Sequence, residues 1–337
     1  MLVATDLRPL LLAYKCLFPI ITILRTDTQL ARFGIVFLNC NNLDAVGSNR
    51  GPKSAQALTN KISNLATTLK SSTGGSPPAI VCLCEIGSET LGKQLAETIS
   101  PDFYQTLWTG GSTSPQPGLM ICYNPEVLYF NAEGDDRRDD GVEQNRNIGS
   151  RRKWYAVRFK MKSGSQGLFW LILNHWKSQM GGETQTEDQR NVSAFEIGDF
   201  FLGTARTTTD AVVLIGDFNC EPGAFPFRKP NNSLRVVRER AFVLRDRNRL
   251  AYFYNPMRRL LGEADALDIT RRDNYSAPRP PGTIHIEGQG WRTFDQIMVS
   301  KRMLTGGLIR FIESSVRIVE PDAGCSDHCS LSAEFEY

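Results

Sequence analysis

The sequence has few histidines, no strong excess of charge of either sign, and no apolar run long enough to span a membrane. Three histidines occur among 337 residues, and 39 Lys and Arg stand against 36 Asp and Glu, a net charge of +3. This nearly even balance of charge gives no global argument for a nucleic-acid or membrane partner. The apolar segment 9–24 is interrupted by Lys15 and is shorter than the roughly 20 residues of a spanning helix. We therefore predict no stable membrane span.

Common cofactor and nucleophile signatures are also missing. The chain has no G-x-G-x-x-G, no P-loop and no G-x-S-x-G, which leaves nucleotide-cofactor and serine-hydrolase functions without a motif. Of the eight cysteines, Cys82 and Cys84 would point the same way in a strand, and only Cys325 and Cys329 are spaced at all like a metal-binding pair. We therefore disfavour zinc and expect a reducing, cytoplasmic location, with secretion left open by the apolar N-terminal segment.

The apolar residues that are present follow the periods of strands and helices. Short apolar runs at 33–39, 79–85, 118–124, 167–174, 211–217 and 294–300 predict strands, and alternating runs at 154–160 and 332–337 predict strands with a more polar face. Helices are predicted where apolar residues recur every three or four positions, at Ala55, Leu58, Ile62, Leu65 and Leu69, at Leu91, Leu95 and Ile99, and over about 187–202.

These elements predict a single α/β domain. No internal repeat or long linker divides the chain, so residues 33–337 are expected to form one unit of two packed sheets flanked by helices. Residues 1–32 form an N-terminal extension of unclear role. A signal peptide, a packing extension and a start codon placed upstream of the true one all stay open for it.

Polar residues with catalytic potential stand at the ends of six of the apolar runs. They are Asn39, Asn41, Glu85, Asn174, His175, Asp217, Asn219, Asp295, Asp327 and His328. Any one of them could cap a helix or start a turn, but strand mouths are also where open sheets build sites. Carboxylate and amide oxygens without a His or Cys cluster suit a hard cation, Mg2+ or Mn2+.

The order and wording of these segments resemble the endonuclease/exonuclease/phosphatase superfamily, the deoxyribonuclease-I-like metal-dependent phosphoesterases. The motifs are NCNN (39–42), CLCE (82–85), NHWKS (174–178), GDFN (216–219), FDQI (294–297) and SDH (326–328). The resemblance covers about residues 33–337 and implies a four-layer sandwich of two mixed sheets with the site at one end. The chain departs from the family at two places. Asn42 stands where many of its nucleases have glycine, and the second residue after SDH is not the proline that repair endonucleases tend to have there.

The resemblance also implies roles for single residues. Glu85 would be the first metal ligand, with Asn39 and Asp327 completing the shell directly or through water. Asp295 would orient His328, and either His328 or Asp217 would be the general base. Asn219 and His175 would contact phosphate oxygens. Candidate substrate contacts are Asn41, Asn174, Lys177, Ser178, Arg151 and Arg152.

Charge segregation favours nucleic acid as the substrate. Residues 228–272 hold twelve Lys or Arg against five Asp or Glu directly after GDFN, although a solvated arginine-rich surface would look the same. We rank a nuclease first, and more specifically an endonuclease. A small-molecule or phospholipid phosphodiesterase or phosphatase comes second, and a non-catalytic nucleic-acid-binding relative third. DNA against RNA and the oligomeric state stay open.

Overall fold

The computed structural model describes residues 30–110, 118–130, 142–143, 153–163, 167–205, 211–228, 234–237, 239–245, 251–257, 280–322 and 324–337. The helices in these ranges are α1 (Ala55–Ser71), α2 (Glu89–Ile99), α3 (Glu183–Phe200) and α4 (Arg240–Arg245). The strands are β1 (Arg32–Leu43), β2 (Ile80–Ile86), β3 (Gln105–Trp108), β4 (Gly118–Tyr123), β5 (Leu128–Tyr129), β6 (Val142–Glu143), β7 (Lys153–Met161), β8 (Leu168–His175), β9 (Ala211–Asp217), β10 (Leu234–Val237), β11 (Ala251–Tyr254), β12 (Ile284–Ile286), β13 (Gly290–Arg292), β14 (Asp295–Ser300), β15 (Arg310–Val319) and β16 (Ser330–Glu336).

Two mixed sheets contain most of these strands. The first has the order β15-β16-β1-β2-β4-β3, and the second has the order β10-β11-β14-β9-β8-β7-β5 with β6 paired to β7. The pairs β1–β2, β8–β9 and β10–β11 are parallel, and the other neighbours are antiparallel. Strands β12 and β13 form a separate two-stranded ribbon.

Three apolar clusters build the sandwich. Between the sheets, side chains such as Phe37, Leu171 and Ile215 form a common core. On the outer side of the first sheet, alternate residues pack against α1 and α2, and on the outer side of the second sheet they pack against α3. Both faces of the central strands are therefore buried, which explains why these strands are continuous apolar runs instead of alternating ones.

This architecture confirms the predicted fold, a four-layer α/β sandwich of the deoxyribonuclease-I-like type. Each run predicted as a strand is one, with ends that differ by a residue or two, except that β1 continues to Leu43 through the polar NCNN segment. The helices α1 and α2 begin after Ser54 and Ser88, whose side chains accept from the backbone N–H groups of Ala57 and Leu91.

Helix α3 begins four residues earlier than its apolar period indicates and is followed by a π-helical turn over Phe201–Ala205. Its first turns bury polar side chains, including Thr186 and Arg190, where the periodicity argument looks for apolar ones. Its N-cap is Gly182, which has a φ of 108° and offers no side-chain cap, so the usual start signal is missing from the sequence.

Residues 1–29 of the N-terminal extension and the candidates Arg151 and Arg152 lie outside the described residues, as does much of the basic segment 228–272, whereas Arg32, predicted as part of the extension, begins β1. Within the described part of the chain, no helix combines the length and the apolar character needed to cross a membrane.

Candidate active site

Strand ends from both sheets meet at one end of the sandwich. In the second sheet, Asp217 at the end of β9 stands opposite both His175 on β8 and Asp295 on β14, so three polar side chains occupy neighbouring strands. In the first sheet, Asn39 on β1 pairs with Cys84 on β2, the residue before Glu85. The register of the sheets thus brings residues from five distant motifs together.

The backbone leaves regular β geometry where these side chains project. Asn41, Asn42, Glu85 and Asn219 have φ values of 44°, 57°, 59° and 50°. This left-handed region is unfavourable for residues with a Cβ, and Asn is among those that tolerate it best. Asn42, which replaces the family's usual glycine, therefore occupies a position whose backbone explains the preference for either residue.

Asn39 lies at the centre of the site. Its amide Nδ2 donates to Asp217 Oδ2 at 3.2 Å and to Glu85 Oε1 at 3.4 Å, and it lies 3.4 Å from His328 Nε2. Its Oδ1 accepts from the backbone N–H of Asn41. The amide nitrogen, and not the oxygen predicted as a metal ligand, therefore faces the two carboxylates.

His175 faces the same two carboxylates as Asn39. Its Nε2 lies 3.4 Å from Glu85 Oε1 and 3.8 Å from Asp217 Oδ2. His175 and Asp217 are buried, and the side chain of Glu85 is nearly so. Two carboxylate oxygens therefore converge on one small space, where each charge disfavours the other unless a cation or a proton intervenes.

Asp295 and His328 form a separate buried pair. His328 Nδ1 lies 2.8 Å and 3.0 Å from the two Asp295 oxygens. Burial by itself lowers the pKa of His328, but the carboxylates around it, Asp295 first and then Asp217 and Asp327, together outweigh burial and raise that pKa to about 10. Burial also raises the pKa of Asp295, with His328 opposing the shift. The geometry favours an imidazolium held by Asp295 at neutral pH.

The GDFN turn is fixed by its own hydrogen bonds. The N–H of Asn219 donates to Asp217 Oδ1 at 2.8 Å, and the Asn219 side-chain amide donates to the carbonyl of Trp176 at 3.1 Å. Gln179 Nε2 in turn donates to the carbonyl of Asn219 at 3.1 Å. Asn219 and the segment after His175 are thus held against each other.

Other predicted site residues lie outside this centre. The side chain of Asp327 is 54% exposed, and its Oδ1 is 4.0 Å from His328 Nε2, which places it at the rim. Asn174 is fully buried, donates to the carbonyls of Ile172 and Ile215 and accepts from Trp176 Nε1, so it holds β8 and β9 and does not face a substrate. Lys177 and Ser178 are half-buried beside this segment.

Sequence analysis overlooked three residues that support the centre. Thr283 Oγ1 accepts from the N–H of Asp295, and Ser326 Oγ donates to the Asn39 carbonyl while accepting from the N–H of His328. Lys61 Nζ donates to the Asn41 carbonyl. Only Lys61 leaves a signal in the sequence, because it is a lysine on the apolar face of α1, three residues after Leu58 and four before Leu65.

The donor set fits a hard divalent cation. Glu85 Oε1 and Asp217 Oδ2 approach the same nitrogens, and carboxylate oxygens are the ligands that Mg2+ and Mn2+ prefer. Asp217, Asp295 and His328 also bring one ligand atom each within 4.8 Å of one another. His328 and Asp295 are hydrogen-bonded to each other, whereas Glu85 Oε1 and Asp217 Oδ2 face one shared space, so the chemistry of a cation site fits Glu85 and Asp217 better.

Comparisons with known proteins identify the family. Residues 46–264 match the model of a family described as Endonuclease/Exonuclease/phosphatase family, a range that contains Glu85, His175, Asp217 and Asn219. No match was found among curated proteins.

Solved structures share the fold at low sequence identity. The human Nocturnin catalytic domain with bound sulfate is 15% identical, with 90% of this chain and 94% of that chain covered and a TM-score of 0.53. Truncated TDP2 from Caenorhabditis elegans is 14% identical, with 91% and 98% covered and a TM-score of 0.52. A mannosyl-6-phosphatase from Bacteroides thetaiotaomicron is 14% identical, with 90% and 100% covered and a TM-score of 0.53.

Proposed function

The chain belongs to the endonuclease/exonuclease/phosphatase family, and from this premise we propose that it is a divalent-metal-dependent phosphodiesterase that cleaves nucleic acid. The observation that carries the proposal is the convergence of Asn39 and His175 on the carboxylates of Glu85 and Asp217, beside the buried Asp295–His328 pair. Phosphodiester hydrolysis needs a group that accepts a proton, a group that offsets the phosphate charge and a rigid frame for both. This site contains all three.

Glu85 and Asp217 would hold the cation, Mg2+ or Mn2+. A bound divalent cation supplies Lewis-acid stabilisation of the charge on the phosphoryl oxygens. Asp327, at the rim, is placed to act through water rather than as a direct ligand. Asn39 donates through its amide and keeps the two carboxylates at a fixed separation.

The remaining groups act on water and phosphate. His328, held as a cation by Asp295, donates Nε2–H to a non-bridging phosphate oxygen, and His175 and Asn219 contact the other oxygens. Asp217, whose Oδ2 is on the cation side, accepts the proton of the attacking water through Oδ1, and the oxygen of that water forms the new bond to phosphorus. The opposite ester bond breaks, and the leaving oxygen departs with that bonding pair.

An aromatic pair beside His328 supports nucleic acid as the substrate. The β12–β13 ribbon is tied to the His328 segment by the bridge between Ile284 and His328. It presents His285 and Trp291 edge to face, with ring centroids 5.4 Å apart, and both rings are accessible. Such rings offer a surface on which a nucleobase stacks. Trp176, by contrast, is buried against Phe218 and Phe227 and takes no part in this surface.

The described part of the basic segment gives weaker support. Arg240 donates to the carbonyl of Leu304 and lies 3.6 Å from Glu313, and Arg235 donates to the carbonyl of Arg228. These arginines have partners within the protein, so the case for nucleic acid depends on the site and the aromatic pair.

A cleavage assay tests the proposal. Circular DNA, linear DNA, single-stranded RNA and a phosphorylated sugar are incubated with Mg2+, Mn2+ or EDTA, using the wild type, Glu85→Gln and Glu89→Gln. Glu89 is an exposed residue of α2 paired with Lys93, and it serves as the matched control. We expect EDTA-sensitive cleavage of a polymer that Glu85→Gln loses and Glu89→Gln keeps, and nicked circles if the action is endonucleolytic. Turnover of the sugar phosphate alone would replace the nuclease with a small-molecule phosphatase.

A further inference from the structure

Lys61 approaches the site from helix α1 without facing the substrate space. Its Nζ donates to the carbonyl oxygen of Asn41 at 2.6 Å. The side chain is half-buried beside Cys40 and Cys325, and burial lowers the pKa of its ammonium. A lysine that gives up hydration for one carbonyl needs a reason to be there, because a solvated lysine on the other face of the helix would cost nothing.

The carbonyl that Lys61 contacts belongs to a strained turn. Asn41 and Asn42 are both in the left-handed region, and β1 loses its regular register with β2 between Asn39 and Leu43. A residue with a Cβ stays in this region only where its surroundings hold it. The turn is held by Lys61 on one side and by the Asn41 N–H bond to Asn39 Oδ1 on the other.

The same peptide unit reaches Glu85. The carbonyl of Asn41 and the N–H of Asn42 belong to one peptide bond, and that N–H donates to Glu85 Oε2 at 3.0 Å. A cation on the carbonyl end of a peptide polarises it and strengthens the hydrogen bond that its N–H donates. A continuous chain of hydrogen bonds therefore runs from the Lys61 ammonium through the Asn41–Asn42 peptide to the Glu85 carboxylate.

We propose that Lys61 is a positioning residue for Glu85, acting through the Asn41–Asn42 peptide to fix the carboxylate in the orientation that binds the cation. The inference depends on the proposed function in one respect, the assignment of Glu85 as a metal ligand. It adds a residue from α1 to a site otherwise built from strand ends.

The test uses the full chain and three lysine variants. Lys61→Met removes the ammonium at nearly constant length, Lys61→Arg keeps a cation, and Lys70→Met is the control. Lys70 is in the last turn of the same helix, away from the site, and donates to the Thr98 carbonyl on α2. Thermal melts check that each variant folds. Lys61→Ala replaces Lys61→Met if the latter does not fold, and failure of both to fold would overturn the inference, since Lys61 would then be structural.

Two readouts avoid enzyme activity. In metal-free protein, exchange of the Asn42 amide hydrogen is measured by NMR, and we expect it to be at least about 10-fold faster in Lys61→Met. Mn2+ affinity is measured by EPR, and we expect it to be about 10-fold weaker in that variant, as for other residues that support a metal ligand. Lys61→Arg should restore both, and Lys70→Met should change neither.

The sign of the Mn2+ effect separates positioning from plain charge. Removing a cation next to an anionic site favours Mn2+ by Coulomb's law, so weaker binding in Lys61→Met requires that Glu85 has lost its orientation. Unchanged or tighter Mn2+ binding, or unchanged Asn42 exchange, would overturn the inference. The proposed function fails separately, if the wild type binds no Mn2+ or if Glu85→Gln binds it as the wild type does.

Discussion

At the scale of single residues, the buried Asp295–His328 pair fixes the orientation of the His328 ring and keeps a proton on its Nδ1. Asp295 accepts from Nδ1 through both of its oxygens, which leaves Nε2 as the nitrogen directed at Asn39 and Asp327. A carboxylate in this position both orients the ring and stabilises its cation. The Nε2 of His175 instead faces Glu85 and Asp217.

Replacing the carboxylate by its amide tests this assignment. Asp295→Asn keeps the volume but presents an amide to Nδ1 and removes the charge that raises the pKa of His328. We expect hydrolysis to fall by about 10²–10⁴-fold with little loss of stability, measured as kcat and as a thermal melt. The His328 pKa, followed by NMR, should fall toward the ordinary value. Activity within twofold of the wild type would show that the pair is not part of the catalytic machinery.

The limits of sequence analysis are also visible at this scale. Residue type and strand-end position identified Glu85, His175, Asp217, Asn219, Asp295 and His328, which the structure brings together. Orientation was beyond reach, because an asparagine can present an oxygen or a nitrogen, and Asn39 presents its nitrogen to the carboxylates. The sequence likewise does not show where the Asn174 amide points. It was predicted as a substrate contact, but its amide donates to the backbone carbonyls of Ile172 and Ile215.

At the scale of elements, Gly216 shows how β9 is adapted to its neighbour. Its φ is 145°, and a Cβ added there would lie 2.1 Å from the carbonyl oxygen of Asn174 on the adjacent strand. The residue that follows is Asp217. The close approach of β8 and β9 therefore sets the position of the Asp217 carboxylate and leaves no room for a side chain at residue 216.

We expect Gly216→Ala to lower the free energy of unfolding by about 1–3 kcal/mol and to reduce activity, because β9 must move away from β8 and carry Asp217 with it. Chemical denaturation and kcat measure the two effects. Gly203→Ala is the matched control, since a Cβ there meets nothing within 4 Å. Equal stability of the two variants would contradict the proposed close packing.

At one edge of the first sheet, a carboxylate on β16 links the two neighbouring strands, β1 and β15. Glu336 on β16 accepts from Arg32 on β1 at 3.1 Å and from Arg310 on β15, and the hydrogen bond from Arg310 is the main cause of a lowered Glu336 pKa. A carboxyl whose pKa is lower in the folded state stabilises the fold above its ordinary pKa and loses that contribution as the pH falls through the folded value.

Glu336→Gln should therefore be less stable than the wild type at neutral pH, and the difference should shrink as the pH falls below about 4.5. The two arginines are 57% and 51% exposed, so we expect a loss of at most about 1 kcal/mol. Denaturant melts between pH 7 and pH 3 measure it. Glu334→Gln, which affects a more exposed carboxylate 3.8 Å from Arg32, is the control. A difference that grows toward low pH would contradict this linkage.

The elements that sequence analysis missed are those with least apolar signal. Strand β15 alternates exposed and buried residues, includes Arg310, Glu313 and Arg317, and has a register shift against β16, so it does not read as an apolar run. Strands β3, β5, β6 and β10–β13 span two to four residues each, too short for a period to emerge. The buried central strands, by contrast, were predictable because both of their faces lie against other layers.

At the scale of the whole molecule, the site joins the two sheets. Glu85 and Asn39 belong to the first sheet, whereas His175, Asp217 and Asp295 belong to the second, and the interior core packs the sheets together beneath them. A cation held by Glu85 and Asp217 would connect one sheet to the other. The site would then not exist in the unfolded chain, and binding of the cation would stabilise the fold by mass action.

We therefore expect Mg2+ or Mn2+ to raise the melting temperature and EDTA to lower it again. At 100 times the dissociation constant, the linkage gives about 2.7 kcal/mol, or roughly 5–10 °C for a domain of a few hundred residues. Glu85→Gln should melt at the same temperature with and without the cation, because only one of the two sheets then supplies a carboxylate. Glu89→Gln should respond as the wild type does. A cation-dependent rise that persists in Glu85→Gln would place the metal elsewhere and detach it from the junction between the sheets.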